Sequence, residues 1–282
     1  MKKNIPNFIK ELYRIWVTER PNVLAAALAY FGMFSFAPVI YIAFTIAGFF
    51  GEQLLMADNL YGKVEATFGV GTTELIGNSV NNLSQTPFGE TSLLSSIIAF
   101  LALLLAASGL FFQVQYALNT VWRVPPPAKG RASAMIKQRL LSFLMVIGVG
   151  VVLIAAALIN IILSWINSLI PLLSEMPYLN SLSFFGLAVL SFALIYKILP
   201  DADIAWRDVW VASAVTVLLM ALGGKLLEFY LTSGNFRSAF EAAGAVAVIL
   251  ISFYIFSQIF LFGAVFTRVY AHYFGSKVEK EI

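Results

Sequence analysis

Two charges sit three residues apart in an otherwise apolar stretch: Lys225 and Glu228 of LLMALGGKLLEFYLTSG, residues 218–234. Residues at that spacing are neighbours on a helix, so an ammonium and a carboxylate can neutralise one another where water is scarce. Ions inside an apolar helix usually face protein or a wet cavity, and long side chains near its ends reach for the interface. Two readings follow. The pair is either a self-neutralised anchor at the outer end of a helix, or it lines a polar cavity that opens outward. Arg237 and Glu241, four apart in SGNFRSAFEAAG, form either a surface pair or part of a larger cluster with Lys225 and Glu228. Such a cluster, alternating in sign, would suit a zwitterionic or anionic group.

The uncharged polar residues lie deeper. Gln113 and Gln258 each precede an arginine, Arg123 and Arg268, by ten residues. That is about 15 Å along a helix and places both amides near the middle of a bilayer. They can join helices through hydrogen bonds, or offer a donor and acceptor at the depth where transporter sites tend to lie. Asn160, Ser164 and Asn167 form a further stripe at helical spacing, suited to packing or to the lining of a path. Gly148, Gly150, Gly223 and Gly224 suit close approach of helices better than ligand contact.

Catalysis and metal binding find little material. The chain has no cysteine and a single histidine, His272, so thiolate chemistry, disulfides and a His-rich metal site are excluded. Asp201 and Asp203 suit a solvated turn before a helix better than a metal pair. Gly69 and Gly71 lack the strand and the Lys-Ser/Thr of a phosphate loop. No catalytic residue, metal or cofactor is expected, and the protein is not expected to be an enzyme.

The elements that must carry these residues follow from composition. The 282-residue chain is 60% hydrophobic and 12% charged, with a mean hydropathy of +0.86. Soluble domains carry about 25% charged residues, so the apolar excess calls for lipid as solvent. The expected fold is an all-α integral membrane protein, one membrane domain over 1–282. Residues 5–16, IPNFIKELYRIW, alternate apolar and charged residues at helical spacing and predict an amphipathic interfacial helix within 1–20. Six apolar segments follow, near 23–50, 92–114, 138–166, 181–199, 209–232 and 243–267. Each exceeds the ~18 residues that suggest a transmembrane helix. Pro38 lies inside the first, where a missing donor and a ring clash predict a kink or break around Ser35–Pro38. Residues 51–91 predict an extracytoplasmic cap of short amphipathic helices on the outer face, and 268–282 a cytoplasmic tail.

Lys and Arg counts orient the helices. The N-terminus holds Lys2, Lys3, Lys10, Arg14 and Arg20, and the loop VWRVPPPAKGRASAMIKQR holds Arg123, Lys129, Arg131, Lys137 and Arg139. The C-terminal tail adds Arg268, Lys277 and Lys280, whereas the outer loop 51–91 has Lys63 alone. The bias predicts six spans with both termini cytoplasmic. All five tryptophans fall at expected boundaries, consistent with interfacial anchoring.

Several stretches occur together in order: AAALAYFGMFSFAPVIYIA (25–43), ALNTVWRV (117–124), YKILPDADIAWRDVW (196–210), GGKLLEFYL (223–231) and AAGAVAVILISFYIFSQIFLFGAVFTRVYA (242–271). With these the chain resembles the YihY/BrkB family over nearly its whole length. The resemblance implies a six-helix inner-membrane protein. Members have been labelled ribonuclease BN, virulence factor and transporter, and no family-wide catalytic set carries over. Where the family commonly has an acid, this chain has Val265.

Three functions compete. A transporter-like protein would move a small polar or amphipathic solute through an outward-facing cavity, using the helix break, the midplane glutamines and the ion pair. A non-transporting envelope-integrity or lipid-organising protein would have a dry centre and a functional outer cap. Ribonuclease activity needs a positioned acid/base pair or metals, which this chain does not offer. The expected partners are membrane lipids, a small solute and further copies of the chain, with no nucleic acid.

Overall fold

The computed structural model describes residues 5–48, 93–125, 140–145, 147–148, 151–152, 155, 159, 178–232 and 244–275. Among these every regular element is a helix: α1 (Ile5–Thr18), α2 (Pro21–Gly48), α3 (Leu93–Trp122), α4 (Tyr178–Ile198), α5 (Trp206–Thr232) and α6 (Gly244–Tyr273). Residues 140–145 are helical as well.

The apolar runs explain the helices from α2 onward. These have 28, 30, 21, 27 and 30 residues. At 1.5 Å per residue they measure about 31–45 Å. Two described stretches, Trp206–Tyr230 and Val246–Tyr273, are both long and apolar enough to cross a membrane, and Pro21–Ser35 and Leu182–Ile198 form shorter apolar helices. The apolar segment 138–166 is described only in part, and the cap expected over 51–91 lies outside the described residues.

Of the kink or break expected at Ser35–Pro38, the break is corrected: α2 runs continuously from Pro21 to Gly48. A proline removes one backbone donor, and the turns on either side hold the helical path across that gap. Helix α6 continues to Tyr273, past the expected apolar segment, so Arg268 projects from a helix. Likewise α3 runs two turns past the apolar segment, to Trp122. Both extensions carry polar residues that packing, rather than hydropathy, holds in place.

Helix α6 is the centre of the bundle. It packs against α2 and α5, touches α3 more lightly, and receives α1 along its last turns; α3 packs mainly on α2, and α4 on α5. Paired depths show that α2 and α5 both run antiparallel to α6. Gly32 meets Phe253 while Asn22 meets Gln258. Thr216 meets Gly263 while Gly223 meets Ile259.

Small residues set the separations. Ala25, Ala29, Ala117, Ala193, Ala212, Ala264 and Ala271 are all 0–1% exposed. Lipid gives no hydrophobic drive for helix association, so close packing of small side chains and interhelical hydrogen bonds must supply it. At Gly263 the approach is tightest: a side chain there would overlap the Thr216 hydroxyl and the Tyr196 phenol oxygen. The Tyr196 hydroxyl donates to the Phe260 carbonyl at 2.7 Å and lies 3.2 Å from Thr216 Oγ1, so α4, α5 and α6 lock at one point.

The densest core lies toward one end. Ile15, Leu24, Leu28, Leu118, Val121, Leu199, Ile204, Val209, Leu261, Val265 and Val269 form it, from the starts of α2 and α5 and the ends of α3, α4 and α6. Val265 is fully buried there, so apolar packing occupies the position at which the family resemblance leads one to expect an acid.

Candidate functional site

Polar side chains from distant segments close this same end. Glu19 follows α1 and is 12% exposed; its carboxylate lies 2.6 Å from Arg123 Nε and 3.6 Å from Arg268 Nη1. Arg268 Nη1 also donates to the Val121 carbonyl at 2.5 Å, one of the carbonyls the end of α3 leaves without a helical partner. One acid thus ties the α1–α2 turn to α3 and α6.

The backbone at this junction is unusual. Arg20 and Arg123 have φ of 47° and 54°, the left-handed region that disfavours a side chain. At Arg123 the cause is the helix end. Val124 N donates to Asn119 O and Arg123 N to Thr120 O, the paired bonds of a Schellman turn, in which the αL position usually belongs to glycine. Here an arginine occupies it and reaches Glu19.

A second set joins α3 to the α4–α5 loop. Asn119 Nδ2 donates to Asp201 Oδ2 at 3.0 Å, and the Asp201 amide donates back to Asn119 Oδ1 at 2.8 Å. Gln115 Nε2 reaches the same carboxylate oxygen at 3.3 Å. Gln115 is 2% exposed, and its Oε1 has no hydrogen-bond partner. Lys197, in the last turn of α4, pairs with the exposed Asp203 of the same loop at 3.5 Å. At the start of α5 the Asp208 carboxylate is fully buried against Gly275, where any side chain would strike it.

The residues singled out in the sequence are placed unevenly. Gln258 Nε2 donates to Asn22 Oδ1 at 3.1 Å, joining α6 to the first turn of α2, while its buried Oε1 has no partner. Gln113 is half-buried, and it is Gln115, two residues on, that faces the interior. Lys225 and Glu228 are both exposed on α5, among Leu222, Leu226 and Phe229, which are 59%, 69% and 74% exposed. The approach of Gly223 to Ile259 sets the Lys225 turn level with the Gln258 turn of α6. Ser35 is buried where α2 meets α3, its hydroxyl near the space a side chain on Gly109 would fill. Arg237 and Glu241 lie outside the described residues.

Chemically, this end can hold shape and offer buried acceptors. Among the described residues no group of three or more His, Cys, Asp or Glu side chains could hold a metal ion. Glu19, Gln115, Asn119 and the paired role of the arginines were not singled out in the sequence, although Asn119, Arg123, Asp201 and Arg268 all lie in the stretches that carry the family resemblance.

Comparison with known proteins agrees with those stretches. A UPF0761 membrane protein of Alteromonas mediterranea is 26% identical over 97% of this chain and 92% of its own length. A UPF0761 membrane protein of Tolumonas auensis is 25% identical over 90% of this chain and 82% of its own. Another, from Cronobacter sakazakii, is 26% identical over 85% and 80%. No solved structure matches. The family model for the virulence factor BrkB matches residues 12–281, nearly the whole chain, and the chain belongs to that family of membrane proteins.

Proposed function

We propose that this protein crosses a bacterial inner membrane six times with both termini cytoplasmic, and that it moves a small polar or amphipathic solute through a cavity that opens away from the sealed end. The observation that carries the proposal is the closure itself. Side chains from α3, α6, the α1–α2 turn and the α4–α5 loop interlock at one end, and the acceptors Gln115 Oε1 and Gln258 Oε1 are buried without donors. A buried acceptor without a donor costs about 1–3 kcal/mol, and a solute N–H or O–H, or water in a path, would relieve that cost. Lys225, level with Gln258, would offer a charge at the same depth, and Glu228, Arg237 and Glu241 would extend it outward.

The chain has no cysteine, which makes the test direct. Single cysteines at 113, 225 and 258 are exposed to a membrane-impermeant maleimide from each side of oriented vesicles. Proteoliposome swelling in isotonic glycerol, glycine betaine and choline phosphate then reports solute entry. Labelling at 258 from the outer side, with swelling in at least one solute, supports the reading. No labelling and no swelling removes it.

The exposure of Lys225 and Glu228 among large apolar side chains favours a second reading, a lipid-organising protein that moves no solute. It gives labelling at 225 with none at 258, and no swelling. Neither reading assigns catalysis to the chain.

A further inference from the structure

Helix α1 has two apolar faces, and α6 covers one of them. Phe8 stacks edge-on against Phe266 and Tyr273 at ring separations of 5.6 and 6.0 Å, and Trp16 meets Phe262 at 5.8 Å. Ile15 is buried and Leu12 packs on the core. At 100° per residue, the second stripe lies about 90° round the helix. It consists of Ile5, Ile9, Tyr13 and Val17, which are 65%, 60%, 69% and 55% exposed. Lys10 and Arg14, both exposed, border this stripe on the side away from α6. In the sequence, Lys2 and Lys3 precede it.

We propose that this second stripe lies in the headgroup boundary of the adjoining leaflet and that Lys10 and Arg14 bind anionic phospholipid there. A surface-seeking helix has an apolar band that sinks into the acyl boundary and basic residues that meet the phosphates, and α1 presents both side by side. Arg14 is held by Glu11 and is 69% exposed, so a phosphate oxygen can replace the carboxylate at little cost. Four side chains on a 14-residue helix fall well short of the roughly 800 Å² per partner that a stable protein interface needs. That argues against a second protein as the cover. The proposal holds whether or not a solute moves through the bundle.

The test uses the full-length protein carrying one cysteine at 9, 13 or 7, labelled with an environment-sensitive fluorophore. It is reconstituted in phosphatidylcholine vesicles that also contain phosphatidylglycerol, with bromine on the acyl chains of one lipid or the other. Positions 9 and 13 are expected to be quenched, position 7 on the polar face is not, and brominated phosphatidylglycerol quenches several-fold more than brominated phosphatidylcholine. Replacing Lys10 and Arg14 by Gln lowers that preference by about five-fold per residue. High salt lowers it as well. Equal quenching by the two lipids overturns the proposal, as does the absence of lipid quenching at 9 and 13. Cross-linking of cysteine 9 between chains overturns it in favour of a second copy.

Discussion

Arg123 and Glu19 are 104 residues apart in the chain, yet the Nε of one lies 2.6 Å from the carboxylate of the other. Arg268 shares the same carboxylate. The three side chains differ in exposure: Arg123 51%, Arg268 16% and Glu19 12%. Removing the acid therefore strands one mostly buried cation, whereas removing Arg123 strands nothing buried. Glu19→Gln should lower stability by about 2 kcal/mol, below the cost of breaking a fully buried pair, and Arg123→Gln by about 1 kcal/mol or less. Thermal unfolding in detergent, followed by tryptophan fluorescence, checks the order. Equal losses would mean that Glu19 and Arg268 are not coupled.

The left-handed backbone at Arg123 separates strain from charge. Ala and Gly at this position both lose the ion pair, but only Gly relieves the backbone. Arg123→Gly should be more stable than Arg123→Ala by about 1 kcal/mol. The same unfolding measurement decides it, and an Ala variant equal to Gly would argue against the Schellman turn.

How legible this was in the sequence depended on the range of the interaction. Apolar runs mark α2, α4, α5 and the start of α6 within a few residues, because hydropathy is local. The two-turn extension of α3 was missed, since Gln115 and Asn119 look like a departure from a lipid-facing run. They are held by Asp201, 86 and 82 residues away, and no spacing rule announces such a partner. Arg123 and Arg268 read in the sequence as basic residues of a loop and a tail beyond apolar runs. That reading explained them well enough to hide their shared acid. Gln113 is half-buried while Gln115 faces the interior, because two positions at 100° each turn a side chain to the opposite face of the helix.

Two glycines in neighbouring helices should respond oppositely to the same substitution. A methyl at Gly263 overlaps Thr216 and Tyr196, both fixed by hydrogen bonds, while at Gly224 nothing lies within 4 Å. Gly263→Ala should cost about 2–3 kcal/mol through overpacking. Gly224→Ala should be neutral or stabilising by up to about 1 kcal/mol through helix propensity. Detergent-solubilised yield and unfolding temperature distinguish the two. If both variants behave alike, the three-helix contact at Gly263 is wrong.

Gln115 and Gln258 allow function to be separated from folding. Each donates one hydrogen bond, and each leaves a buried oxygen without a donor. Replacement by Leu loses the donated bond but also removes the buried acceptor, so the two costs nearly offset. Asp201 keeps its bonds to Asn119, and Asn22 is exposed rather than buried in the bundle. Gln115→Leu and Gln258→Leu should therefore unfold within about 1 kcal/mol of the parent protein. If these oxygens receive a solute or the water of a path, both variants should lose most of the swelling seen in proteoliposomes. Lys225→Met and Glu228→Gln are then compared in the same assay, because their exposure leaves a role at the lipid surface as the competing explanation. Loss of swelling in the glutamine variants with full swelling in the charge variants would place the path through the helix interior and assign the charges to lipid. Full swelling in all four would take the path away from every one of these residues.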